Sequence, residues 1–237
     1  MIPKILHQIW SGIDGPLPDL LQMFGETWKS CHPDWKYEYW DNERMNQLIK
    51  DYYPHYWDSY HRLTYNIQRW DAIRYLILDN MGGMYVDFDS ECMKPLDKLI
   101  EGKTCCFSME PSGHWLMYNR KFFFNNALVA AIPAHPFIKK VICTVFENVT
   151  PVRFAGLKEK GNQVLQSTGP TMLVNLYEQY PDKESVYLMP YEYVSPLTNI
   201  EIEYLRQGKY LNKLEEKLEK AYCIHYFFNT WLTTWDK

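Results

Sequence analysis

The 237-residue sequence is short of several features, and each shortage excludes a class of function. It has no excess of positive charge: 25 Lys and Arg stand against 29 Asp and Glu, a net charge of -4. The basic footprint that grips a phosphate backbone is therefore missing, and nucleic acid is excluded as a partner. It has no uninterrupted apolar run of about 18 residues, the length that crosses a bilayer. Its opening, MIPKILHQIWSGIDGP, carries one Lys, a short apolar run and then Gly, Asp and Pro rather than the regions of a signal peptide. These features predict a soluble cytoplasmic protein, at most peripheral at the inner face of a membrane. The six cysteines, Cys31, Cys92, Cys105, Cys106, Cys143 and Cys223, have no CxxC spacing and no small-scaffold density, which fits a reducing compartment. With no repeat, low-complexity tract or linker, the length predicts a single domain over residues 1–237.

What is abundant is aromatic: 16% of the chain, with nine Trp and nineteen Tyr. That is more than a core readily uses, and aromatic faces suit sugar rings and nucleobases. Strand and helix patterns alternate along the chain. IPKILHQIW reads as a first strand, followed by a helix near Leu20 to Ser30, a strand at WKYEYW and a helix from Asn42 to Tyr52. Over Asn66 to Asn80, Ile67, Trp70, Ile73, Ile77 and Met81 recur at three- and four-residue spacing, which predicts a helix with one apolar stripe. Gly82 and Gly83 end it and open a strand over Met84 to Phe88. Further strands are expected at Thr104 to Met109 and Val186 to Met189. Further helices are expected at Pro136 to Asn148, from Gly169 or Pro170, and over YLNKLEEKLEKA, whose charged face is solvated. Such interleaving predicts a layered α/β fold.

The chemistry concentrates in YLILDNMGGMYVDFDSE, where Asp87 and Asp89 follow an apolar run. In a strand, residues two apart face one side, so both carboxylates converge at the strand end while Phe88 points to the core. Like charges so placed repel unless a cation or donors compensate, and oxygen ligands favour Mg²⁺ or Mn²⁺. An isolated Asp-x-Asp is more often a polar turn. On the preceding helix Asp71 and Arg74, three apart, read alone as a surface ion pair, yet the Gly-Gly reversal folds them back toward Asp87. His7 reads as structural, Trp28, Trp35, Trp40 and Trp57 as packing, and Thr168 as an N-cap or a ligand contact. Two other functions stay open on these residues: a metal-dependent phosphohydrolase, and a carbohydrate-binding protein without catalysis.

Four blocks resemble glycosyltransferase family 32, which includes Golgi initiating mannosyltransferases and bacterial capsular sugar transferases and is related to the glucosyltransferase domains of large toxins. They are IPKILHQIW, RWDAIRYLILDNMGGMYVDFD, STGP at Ser167 to Pro170, and HYFFNTW near the end. The resemblance implies a GT-A fold, a Rossmann-like mixed sheet flanked by helices with a helical addition. It implies a retaining transfer of a hexose from a UDP- or GDP-linked sugar to a glycan or lipid-linked saccharide, in surface polysaccharide and capsule biosynthesis. By position, Asp87 and Asp89 would bind Mn²⁺ or Mg²⁺, and Asp71 and Arg74 would hold the donor sugar and phosphate. Trp10 would stack on the nucleobase beside Tyr85, His225 would complete the metal shell, and Trp231 would approach the diphosphate. Two positions depart from the family pattern: Asn229 and Thr230 stand where Gly-Ser is usual, and Trp70 where a small residue precedes Asp71.

Overall fold

The computed structural model describes residues 1–117, 119–147, 149 and 156–232. Eight strands are present among them: β1 (Ile5–Ile9), β2 (Lys36–Trp40), β3 (Gly83–Val86), β4 (Ser90–Cys92), β5 (Cys105–Met109), β6 (Phe124–Ala131), β7 (Tyr187–Met189) and β8 (Cys223–His225). Six form one sheet in the order β2-β1-β3-β6-β5-β7, and β4 pairs with β8 in a small second sheet. β1 runs parallel to β2 and β3, and β7 to β5, whereas β6 is antiparallel to both its neighbours. This is the layered α/β fold that the pattern predicts, with the mixed, Rossmann-like sheet that the family resemblance implies.

Strand alternation sorts side chains into two cores. Tyr85, Cys105, Phe107, Val129 and Ala131 join one face, and Met84, Val86, Cys106, Leu128 and Ala130 the other. With both faces covered, β6 is buried at all eight positions. That explains why the sequence reading passed over it: FNNALVAA shows no polar alternation, and its paired Asn resemble a turn.

Three other expectations need correction. The Asn66–Met81 helix has no single apolar stripe, because Asp71 through Leu78 are all buried. The sheet covers one side of it, and the Asn42–Tyr52, Pro136–Glu147 and Leu157–Ser167 helices pack around the rest. β3 stops at Val86, leaving Asp87 and Phe88 beyond its end. The N-cap of the Pro170–Gln179 helix is Gly169 rather than Thr168. The Pro136–Glu147 helix otherwise follows expectation, its proposed last residue Asn148 lying outside the described residues, as do Thr233, Thr234 and Trp235 of the closing stretch.

At Gly82 and Gly83 the chain reverses with φ of 63° and 98°. A Cβ on Gly83 would meet the Ile5 carbonyl oxygen at 2.5 Å, and one on Gly82 the Pro133 ring at 2.6 Å. Space as well as backbone angle reserves both positions for glycine. His7 is fully buried at this junction: its Nε2–H donates to the Gly82 carbonyl at 2.9 Å, and its Nδ1 accepts from Trp40 Nε1 at 3.1 Å. That is the structural histidine expected. All six cysteines are free thiols, and among the described residues no helix is long and apolar enough to cross a membrane.

Candidate active site

The reversal sets the register between helix and strand. Eight residues of helix from Arg74 to Gly82 rise about 12 Å, and four residues of strand from Gly83 to Asp87 return about 13 Å. Arg74 therefore comes level with Asp87. Its Nη1 lies 3.2 Å from Asp87 Oδ1, and its Nη2 lies 3.1 Å from Asp71 Oδ1. Arg74 also donates to the Asn126 carbonyl at 2.7 Å and stacks its guanidinium 4.4 Å from the Tyr85 ring centroid. The Tyr85 hydroxyl donates to Asp87 Oδ1. Asp71 and Arg74 are thus a buried pair, 4% and 3% exposed, and not the surface pair that their spacing alone implies.

Asp87 and Asp89 converge, but through a turn rather than strand alternation: the Ser90 N–H closes back on the Asp87 carbonyl at 3.2 Å. Phe88 is buried as expected, with its ring edge-on to Trp10 and Tyr39. Pairing of β4 with β8 sets Ser90 opposite His225 and brings the closing segment to the turn. His225 Nε2 lies 3.3 Å from Asp89 Oδ1, and the Phe228 N–H donates to Asp89 Oδ2 at 2.9 Å.

These neighbours pull the two carboxyls apart electrostatically. Burial raises Asp87 above its ordinary value, Arg74 opposes that, and Asp89 adds to it. For Asp89 burial is outweighed by His225 and the Phe228 N–H, which hold it low. For His225 burial disfavours the cation, but Asp89, then Asp87 and Glu110, overcome it and hold the ring above its usual value. Burial likewise raises Asp71 against Arg74, Thr168 and Asn126.

All eight residues singled out in the sequence line one cavity of about 520 Å³. Trp10 is half-buried at the end of β1, its indole N–H fixed on the Gly15 carbonyl at 2.9 Å. Trp231 enters from a 3₁₀ turn, Thr230–Leu232. Trp70, large where the family has a small residue, packs against the main core and lines the cavity.

The sequence reading missed several contributors. Asn126 Nδ2 donates to Asp71 Oδ1 at 2.8 Å and to Tyr75 Oη at 2.9 Å, beside Thr168, which the sequence did single out and whose hydroxyl donates to Asp71 Oδ2 at 2.8 Å. Glu110, His114 and Asn125 line the same cavity. The available signal was the Asn-Asn pair opening an apolar run, since buried amides must be paired.

The residues present fit a divalent cation. Asp87, Asp89 and His225 each offer a ligand atom, all within 4.8 Å of one another, and His225 Nδ1 is a buried polar atom with no protein partner. Two carboxylates with one imidazole suit Mn²⁺ or Mg²⁺, whose charge would relieve the carboxylate repulsion.

Comparison with known proteins agrees with this geometry. Residues 18–105 match the family model described as glycosyltransferase sugar-binding region containing DXD motif. Mannosyl phosphorylinositol ceramide synthase SUR1 of Saccharomyces cerevisiae is 30% identical over 189 residues, covering 76% of this chain and 43% of that protein. Inositol phosphoceramide mannosyltransferase 2 of Schizosaccharomyces pombe is 30% identical over 187 residues, covering 76% and 47%. The chain thus spans about half the length of the curated relatives it matches. In fold it resembles the UDP-bound glycosyltransferase domain of the YGT toxin, with a TM-score of 0.53, 10% identity and coverage of 80% of this chain and 79% of that one. With the Asp-x-Asp turn, the buried Asp71 to Arg74 pair and these matches in agreement, the chain belongs to glycosyltransferase family 32, the DXD-containing sugar transferases.

Proposed function

We propose that this chain is a metal-dependent hexosyltransferase that moves a sugar from a UDP- or GDP-linked donor to a hydroxyl of a glycan or lipid-linked saccharide. The observation that carries this reading is the meeting of Asp87, Asp89 and His225 beside the Asp71 to Arg74 pair in one cavity. Its volume of about 520 Å³ lies within the range of small-molecule sites. The mannosyl names of the two fungal relatives support mannose as the hexose, and the UDP of the toxin neighbour belongs to the same donor class.

Trp10 stacks on the nucleobase, and Trp231 approaches the diphosphate from the closing segment. Asp87, Asp89 and His225 hold Mn²⁺ or Mg²⁺, which when bound supplies positive charge to the leaving diphosphate. Arg74 adds a buried cation that needs no reorganisation during the reaction. The bond from the anomeric carbon to the phosphate oxygen breaks, the acceptor oxygen bonds to that carbon, and the acceptor proton passes to the leaving phosphate. On the family resemblance the attack is same-face, with retention. A double displacement would need a carboxylate nucleophile; Asp71 already accepts from Arg74, Asn126 and Thr168, and Glu110, another carboxylate of the wall, is held by His114 and Asn125. We assign the product to surface polysaccharide synthesis on the capsular resemblance, and the reaction to the cytoplasm on the six free thiols.

Incubation with Mn²⁺ and a panel of nucleotide sugars, reading free nucleoside diphosphate with and without acceptor, tests the reading. Metal-dependent release is expected, lost on chelation. Release of inorganic phosphate alone would establish a phosphohydrolase, and glycan binding without nucleotide turnover a carbohydrate-binding protein.

A further inference from the structure

We propose that Glu110 anchors the acceptor hydroxyl, with His114 and Asn125 as its positioning residues; the inference rests on the transferase reading above. Glu110 follows β5 directly and is 8% exposed, yet it faces the same cavity as the Asp-x-Asp turn. A buried carboxylate is stable only when donors surround it. His114 Nδ1 lies 2.8 Å from Oε2, and Asn125 Nδ2 donates to Oε1 at 3.2 Å.

The surrounding bonds fix the orientation of both partners. His114 Nε2 is held by Asn199, 3.3 Å from both its N–H and its Oδ1, while Nδ1 faces the Glu110 carboxylate, which can only accept, and gives it a proton. Asn125 Oδ1 accepts from the Ser108 hydroxyl at 2.7 Å and the Ala127 N–H at 3.1 Å, which turns its amide N–H toward Glu110. His114 is thereby committed at both nitrogens, and Asn125 at its oxygen. A carboxylate offers about four lone-pair directions. Two are taken, and the rest of the acceptor capacity is available to a donor in the cavity.

The backbone separates this carboxylate from the donor side. Between Phe107 and Ser108 the β5 to β6 register shifts, so that Val129 and then Asn125 stand opposite consecutive residues. The irregularity splays two adjacent amides, Asn126 toward Asp71 and Asn125 toward Glu110. Asp71 is committed three times over within the protein. Glu110 is committed twice and lies outside the trio able to hold a metal. The Phe227 ring packs 5.0 Å from His114 and 4.1 Å from His225, tying this wall to the metal side. The chemistry selects a neutral polyol or sugar bearing hydroxyl donors and disfavours an anionic acceptor group at this point.

The test uses the full chain, Mn²⁺ and the donor that turns over in the panel, with methyl α-mannoside and myo-inositol as acceptor probes. Glu110→Gln should raise the acceptor KM at least about tenfold, well beyond any change in acceptor-free donor hydrolysis or nucleoside diphosphate affinity. His114→Ala should act in the same direction, and His114→Asn, which restores a donor near the Nδ1 position, should recover much of the loss. Parallel loss of hydrolysis and transfer, or an unchanged acceptor KM, overturns the assignment. So does a wild-type chain that hydrolyses donor but glycosylates neither probe. A wild-type chain inert toward every nucleotide sugar removes the transferase reading itself, a result visible before any variant is made.

Discussion

The helix and strand joined at Gly82 and the closing segment after β8 face the same cavity, but they are built differently. On the first side Arg74, Asp71, Tyr85, Asn126 and Thr168 are buried and bonded to one another. On the second, Phe227 and Asn229 sit at left-handed φ of 50° and 49°, Asn229 is exposed, and His225 Nδ1 has no protein partner. One wall is finished by folding alone, which is the preorganisation that electrostatic catalysis needs. The other has bonding capacity left over, as a wall that closes on bound ligand would have.

The hardest blow to this comparison falls where the walls meet. Asp89→Asn should cut turnover by about 10³-fold, roughly 4 kcal/mol, while the melting temperature moves little, because an amide is a poor ligand for a hard dication. Wild-type turnover by this variant, or by the native chain after chelation, would remove the metal site.

A second test strikes the finished wall through acid. Burial lowers His7 to about 4 from its ordinary 6.5, so the folded chain holds the ring neutral. A folded value below the unfolded one means that its stabilisation is complete above pH 6.5 and is lost as pH falls toward 4. The loss is about 3 kcal/mol. His32 and His135 are lowered for the same reason and add to the slope. Melting temperatures from pH 7.5 to 4 should therefore drop in wild type and drop less in His7→Gln. Equal slopes would show that His7 does not titrate in this window.

Trp10→Ala tests the rim of the finished wall. Loss of a stacked base should weaken nucleoside diphosphate binding by about 1 to 3 kcal/mol. Unchanged affinity by calorimetry would leave Trp10 as packing for Phe88.

The same contrast explains what could be read without coordinates. One part of the finished wall was legible because it is local: Asp71, Arg74, Gly82, Gly83, Asp87 and Asp89 lie within one stretch, where a helix, a Gly-Gly reversal and a strand can be laid against one another on paper. What could not be read depends on distant pairing. Thr168 is 97 residues from Asp71, and Asn126 is 55. Strand β6, which delivers Asn125 and Asn126, hides its period by being buried on both faces. Burial of the ion pair was illegible too, since three-residue spacing is the same on a covered helix as on an exposed one. The order of the closing block was visible, but its pairing with β4 was not.

On the unfinished wall, His225→Ala should raise the Mn²⁺ concentration for half-maximal activity about tenfold. Its melting temperature without metal should stay near wild type, since β8 is short and Cys223 and Ile224 carry its buried contacts. A large loss of melting temperature with an unchanged metal requirement would make His225 part of the scaffold.

The smallest expected effect concerns Asn229, which stands where the family has glycine. Its φ of 49° is the region that glycine enters freely, that Asn enters more readily than most residues, and that branched side chains avoid. Its own side chain helps, because Nδ2 donates to the Phe227 carbonyl at 3.0 Å. The departure from the family pattern is therefore one the backbone accepts. Asn229→Gly should shift stability by only a few tenths of a kcal/mol, because relief of the left-handed conformation is offset by the lost bond and by a more flexible unfolded chain. Asn229→Val should disfavour the observed turn by about 1 to 2 kcal/mol. Because the residue is exposed and the segment short, that cost should appear less in melting temperature than as a roughly five- to thirtyfold fall in kcat/KM. Identical kinetics for the Gly and Val variants would show that the left-handed turn is not the conformation in which the segment meets its ligand.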